Sequence, residues 1–164
     1  MNNLLIPDMY VNSIFDIDLV ELMEKGYKNL IIDIDNTLVA WDKKTAPRSV
    51  INWFDKLKEM GFNFCLVSNN TEDRVVKFTE NIKIQAFHKA RKPFKLAFIK
   101  AMDYMKSDVT NTAVIGDQIF TDVLGGNRVG LYTILVVPIE SKEFWWTKIM
   151  RKLERLVLRK LKIK

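Results

Sequence analysis

The stretch that most constrains this chain is residues 28–39, KNLIIDIDNTLV. Leu30, Ile31 and Ile32 run into Asp33, Asp35 follows two positions on, and Asn36 and Thr37 end the run. A short apolar run without polar alternation reads as a strand buried on both faces, delivering its carboxyl end to whatever lies beyond. Side chains two apart on a strand share a face, so Asp33 and Asp35 are expected to project together. Carboxylates that close repel unless a cation or proton sits between them. The pair points to divalent-metal chemistry or to covalent catalysis by a carboxylate. The plainer alternative is a turn that Asp, Asn and Thr merely cap.

The rest of the chain alternates strand and helix signals. Residues 1–15 read as an extended lead-in that turns near Pro7 and Asp8. Helical spacing over 17–25 (Leu19, Leu22, Met23) stops at Gly26, and a strand covers about 29–34. A polar loop with Trp41 leads to Pro47, a first-turn proline for a helix carrying Val50, Ile51, Phe54, Leu57 and Met60. A strand at 63–67 runs into Ser68, Asn69 and Asn70, and Asn70 or Thr71 can cap a helix over 72–81. A short strand near 84–87 precedes Lys92. The helix expected over 94–106 is assigned Phe94, Leu96, Ala97, Ile99 and Met102 as its buried face. A strand at 112–115 ends in Gly116 and Asp117, a helix covers about 119–126, and a last strand spans 132–137. Such alternation predicts βαβ units and a parallel central sheet in a three-layer α/β/α, Rossmann-like fold. Ligands bind such sheets at the carboxyl ends of the strands. Asp33/Asp35, Ser68/Asn69, Lys92 and Asp117/Asp122 all fall there, which favours a site over turn chemistry.

Composition narrows the setting. A chain of 164 residues is long enough for one domain with its own core. Its single cysteine, Cys65, excludes an internal disulfide and lies in an apolar run, where a buried thiol is expected. Residues 141–164 carry nine Lys/Arg and two Glu, whereas the remainder carries 17 basic and 18 acidic residues. All the excess positive charge therefore sits in the tail. There Trp146, Met150, Leu153, Val157 and Leu161 recur at three- and four-residue steps among lysines and arginines. A basic amphipathic helix is expected, suited to an anionic membrane surface. Packing on the core and RNA binding are its alternatives. The N-terminus lacks a secretory signal pattern, and no apolar run nears the ~20 residues of a membrane span. A cytoplasmic location is expected, with peripheral attachment to the inner face of the membrane if the tail docks there.

Taken in order, DIDNTL, LVSNN, RKP and GDQIFTD resemble the four motifs of the haloacid dehalogenase (HAD) superfamily of phosphohydrolases over about residues 28–130. The resemblance implies Asp33 as nucleophile, Asp35 as general acid/base, and Ser68 and Asn69 as phosphate binders. It implies Lys92 as a phosphate-binding catalytic cation. It further implies Mg²⁺ held by Asp33, Asp35 (through its backbone carbonyl), Asp117 and Asp122. The gaps between motifs hold one helix and one strand each, leaving no room for a cap domain, so an open site is expected. The lead-in, the GDQIFTDV…GGN stretch, Asn36 and Gln118 resemble more narrowly the bacterial YqeG-type and mitochondrial phosphatidylglycerophosphate phosphatases. That implies hydrolysis of phosphatidylglycerophosphate or a similar membrane-associated phosphomonoester. A soluble phosphometabolite, or a non-enzymatic RNA- or ribosome-associated module, are the alternatives. Residues 1–140 are expected to form the phosphatase core and 141–164 a separate helix, with no indication of oligomeric state. His88, the only histidine, is expected to fill a surface or packing role.

Overall fold

The computed structural model describes residues 4–139. Six strands form one parallel sheet: β1 (Met9–Val11), β2 (Asn29–Ile32), β3 (Asn63–Val67), β4 (Ala86–Phe87), β5 (Thr112–Gly116) and β6 (Tyr132–Val136), in the spatial order β1-β6-β5-β2-β3-β4. Five helices, α1 (Leu19–Glu24), α2 (Arg48–Glu59), α3 (Glu72–Thr79), α4 (Lys95–Met105) and α5 (Leu124–Val129), cover its two faces. The basic tail expected at 141–164 lies outside the described residues.

The continuous apolar runs explain the layering. In β2 all four residues are buried, and period-two alternation sends Leu30 and Ile32 to one face and Ile31 to the other. Leu30 and Ile32 meet Leu22 of α1, Val50, Trp53, Phe54 and Leu57 of α2, and Val75 and Phe78 of α3. Ile31, Cys65 and Val114 meet Ala97, Phe98, Ala101, Met102 and Met105 of α4.

Three expectations are corrected. The lead-in contains a strand: β1 pairs with β6, anchored where Asp8 Oδ2 accepts from the Thr133 N–H (2.7 Å) and hydroxyl (3.1 Å). The inward face of α4 also differs. Phe94, Leu96 and Ile99 are exposed, by 66%, 61% and 41%, because Phe98, Ala101 and Met105, at three- and four-residue steps, take the side against the sheet. Between 119 and 126 the expected helix opens with a π-helical turn, Ile119–Val123, before α5 begins. Such turns insert an extra residue per turn and commonly re-aim side chains at functional sites.

One helix joins β2 to β3 and one joins β3 to β4. No cap domain is present among the described residues. No helix there is long and apolar enough to cross a membrane.

Candidate active site

The chain turns sharply on leaving β2. The Asp33 N–H bonds to Ile115 O at 2.9 Å, tying the motif to β5, while the Leu38 and Val39 N–H groups return to Ile34 O. Asn36 sits at φ 62°, a left-handed conformation that asparagine tolerates better than most residues. This tight return separates the two aspartates. Asp33, only 8% exposed, points inward, whereas Asp35 lies at the mouth.

Asp33, Ser68, Lys92 and Asp117 follow four neighbouring strands, β2, β3, β4 and β5, and Asp122 arrives from the π-helical turn. A cleft of about 300 Å³ is lined by Asp33, Asp35, Ser68, Lys92 and Asp122, with Gln118 and Thr121 at its side. Lys92 is buried at its floor. Its ammonium donates at 2.6 Å to both Asp33 Oδ1 and Asp122 Oδ1, and at 3.0 Å to Val67 O. Thr37 Oγ1 lies 3.1 Å from Asp33 Oδ2 and 3.4 Å from Asp117 Oδ1. Asp122 Oδ2 accepts from the Gln118 N–H at 3.2 Å. Gly116 allows this approach, since a Cβ there would run into the Asp122 carboxyl.

Carboxylate oxygens of Asp33, Asp117 and Asp122 lie within 4.8 Å of one another, and all three residues are buried. Their charge exceeds what one ammonium balances. Burial pushes the Asp33 carboxyl from 3.8 up to about 7; Lys92 opposes the rise, and the charges of Asp122 and Asp35 add to it. Burial also works against the Lys92 ammonium, but Asp122 and Asp33 outweigh it and hold its pKa above the ordinary value. A compact cluster of carboxylate oxygens with surplus negative charge fits a hard divalent cation. The side chain of Asp35 stands outside this trio.

Asp35 has its own partners. Its Oδ2 accepts from Ser68 Oγ and Asn70 Nδ2, each at 3.3 Å, and its Oδ1 pairs with Arg74 Nη2 at 2.9 Å. Arg74 did not emerge from the sequence, Asn70 emerged only as a helix-cap candidate, and Thr37 only as a turn residue. Thr37 sits inside the DIDNT motif, but Arg74 carries no motif signal: it reaches Asp35 across 39 positions. Asn69, expected to bind phosphate, also lines the cleft, and it holds Lys92. Its side-chain amide accepts from the Lys92 N–H (2.7 Å) and donates to Lys92 O (3.2 Å), fixing the backbone that carries the lysine. His88 is half-exposed, 3.7 Å from Glu72.

The sequence model of the mitochondrial PGP phosphatase family matches residues 1–139. The chain is 46% identical over 159 residues to the probable phosphatase YqeG of Bacillus subtilis, covering 97% of this chain and 92% of that one. It is 30% identical to phosphatidylglycerophosphate phosphatase 1, chloroplastic/mitochondrial, of Arabidopsis thaliana, covering 96% of this chain but 47% of the plant protein, so it spans about half of that relative. A solved 3-deoxy-D-manno-octulosonate 8-phosphate phosphatase from Moraxella catarrhalis, in complex with magnesium and phosphate ions and KDO, shares the fold. The TM-score is 0.54 at 15% identity, over 86% of this chain and 92% of that one. Fold and sequence together define a phosphoric monoester hydrolase of the HAD type. Within that class, the chain belongs to the mitochondrial PGP phosphatase family.

Proposed function

We propose that the protein hydrolyses the terminal phosphomonoester of phosphatidylglycerophosphate, or a similar lipid phosphate, through an aspartyl-phosphate on Asp33. The observation that carries the chemistry is Asp33 itself, a buried carboxylate gripped by Lys92 and Thr37 beside two further acids. Asp33 attacks phosphorus while the ester P–O bond breaks. Asp35 gives its proton to the departing oxygen, releasing an alcohol. It then takes a proton from water as that water attacks the phosphoryl group, which frees inorganic phosphate and restores Asp33. Ser68 and Lys92 hold the phosphoryl oxygens, and Lys92 offsets their charge as it develops. Asn69 serves by fixing Lys92. Asp33, Asp117 and Asp122, with the backbone carbonyl of Asp35, would hold Mg²⁺, which supplies charge stabilisation to the transferring group.

Three features support a lipid substrate. Among the described residues no cap domain covers the cleft, which suits a headgroup presented on a surface. Beside it, exposed Phe94, Leu96 and Ile99 are interleaved with Lys95 and Lys100, a surface suited to an anionic leaflet. Finally, the Ile139 N–H bonds to Asn36 O at 3.0 Å, so the chain leaves for its basic segment from the loop that carries the nucleophile. The 30% identity to the plant phosphatidylglycerophosphate phosphatase points the same way. The test is phosphate release from phosphatidylglycerophosphate in mixed micelles with Mg²⁺. Release that Asp33→Asn abolishes supports the reading; turnover confined to soluble phosphates replaces the lipid with a metabolite.

A further inference from the structure

We propose that Arg74 is a positioning residue that aims Asp35 during proton transfer, an inference that rests on the reading of Asp35 as proton donor. Arg74 lies in the first turn of α3, and its guanidinium is held from several sides. Nη2 pairs with Asp35 Oδ1 at 2.9 Å, Nη1 donates to Lys44 O at 3.4 Å, and the group stands 5.9 Å from the centre of the Phe78 ring. Arg74 and Asp35 side chains are only 13% and 21% exposed. A planar guanidinium fixed by a ring and a carbonyl offers a carboxylate one direction of approach, which a flexible ammonium does not.

The consequence lies in which oxygen remains for the proton. With Oδ1 engaged by Arg74, Oδ2 is the oxygen left on the side of Ser68 and Asn70, each of which lies 3.3 Å from it. Ser68 lines the cleft where the phosphoryl group binds in the reading above. Arg74 thus turns the proton-bearing oxygen of Asp35 toward the departing ester oxygen and keeps it from swinging to solvent. Proton donation matters most when the leaving group is a poor one, so the role has a kinetic signature distinct from folding or substrate binding.

The test is kcat for a series of aryl phosphates, from 4-nitrophenyl phosphate, with an acidic leaving phenol, to phenyl phosphate. It is run with Mg²⁺ on wild type, Arg74→Ala, Arg74→Lys, Asp35→Asn and the Asp35→Asn/Arg74→Ala double variant. Arg74→Ala is expected to lose about tenfold more kcat on phenyl than on 4-nitrophenyl phosphate. Asp35→Asn should steepen the series further, the double variant should resemble Asp35→Asn alone, and Arg74→Lys should recover part of the loss. A uniform fall across the series, a rise in KM alone, or additive losses in the double variant would overturn the proposal while leaving Asp35 as the donor. If Asp35→Asn itself leaves the series unsteepened, the reading of Asp35 fails, and the proposal with it. Should Arg74→Ala not fold, Arg74→Lys against wild type carries the same comparison.

Discussion

Lys92 Nζ lies 2.6 Å from Asp33 Oδ1, with the lysine side chain 3% exposed and the aspartate side chain 10%. The same ammonium stands 2.6 Å from Asp122. A single buried cation thus binds together two carboxylates, one at the end of β2 and one from the π-helical turn. Removing one partner of such a pair leaves the other's charge buried and unbalanced, at a cost of about 3–5 kcal/mol. Lys92→Met is expected to lower unfolding free energy by that order at pH 7.5, and by less at pH 5, where Asp33 can protonate. Denaturant titration at the two pH values measures it; equal losses at both would contradict the pairing.

Asp33 links stability to pH and to metal. Its pKa rises on folding, from 3.8 to about 7, so the folded protein binds more protons than the unfolded chain between those values. Its contribution is fully present below about pH 4 and is lost as pH rises through 7. A divalent cation held by Asp33 would take the place of that proton, so the gain in Tm from Mg²⁺ over EDTA should be larger at pH 8 than at pH 5.5. Equal gains at both pH values would show that the cation binds away from Asp33.

Gly116 ends β5 with its Cα turned against the Asp122 carboxyl. Gly116→Ala should displace that carboxylate and with it the grip on Lys92. The expected outcome is a fall in kcat of at least tenfold and weaker Mg²⁺ dependence, read from phosphate release across a metal titration. Wild-type kinetics in this variant would mean that Asp122 has slack the structure does not show.

Cys65 is fully buried against α4, and burial pushes its thiol up to about 12. The nucleophilic thiolate is therefore scarce in the native protein at neutral pH. Because the folded pKa exceeds the unfolded value of 9.0, this group's contribution to stability holds below pH 9 and declines from there toward 12. Alkylation at pH 8 should proceed only as the core opens, with a rate that tracks denaturant. Rapid labelling in buffer would contradict the packing of β3 on α4.

The sequence of segment 141–164, basic with an apolar residue every three or four positions, leads to the expectation that it contacts an anionic membrane surface. Removing it should weaken sedimentation with vesicles containing anionic lipid while leaving 4-nitrophenyl phosphate turnover intact, and added salt should weaken binding of the full chain likewise. Unaltered vesicle binding after truncation would remove the segment from the account.

The central strands were legible because β2, β3 and β5 are buried on both sides and therefore carry apolar runs unlike the amphipathic helices between them. Asp33, Ser68, Lys92 and Asp117 were legible because each ends a strand or its short loop. Strand β1 was not: three half-buried residues carry no pattern, and what makes them a strand is β6, more than 120 positions away. Phe94 and Leu96 are exposed despite their apolar character because the phase of α4, which residue identity alone does not give, turns Phe98 and Ala101 inward instead. Arg74 was illegible for a different reason. Nothing in a helix sequence marks an arginine as facing a carboxylate on another strand's loop, and only the fold brings the two together.

The most direct measurement of the central claim is inorganic phosphate release from 4-nitrophenyl phosphate by wild type and Asp33→Asn, each with Mg²⁺ and with EDTA. Mg²⁺-dependent turnover is expected of wild type and a loss on the order of 10³-fold or more in the variant. The variant should keep the wild-type fold by circular dichroism. Turnover by Asp33→Asn within a few-fold of wild type would contradict the assignment of Asp33 as nucleophile and the mechanism built on it.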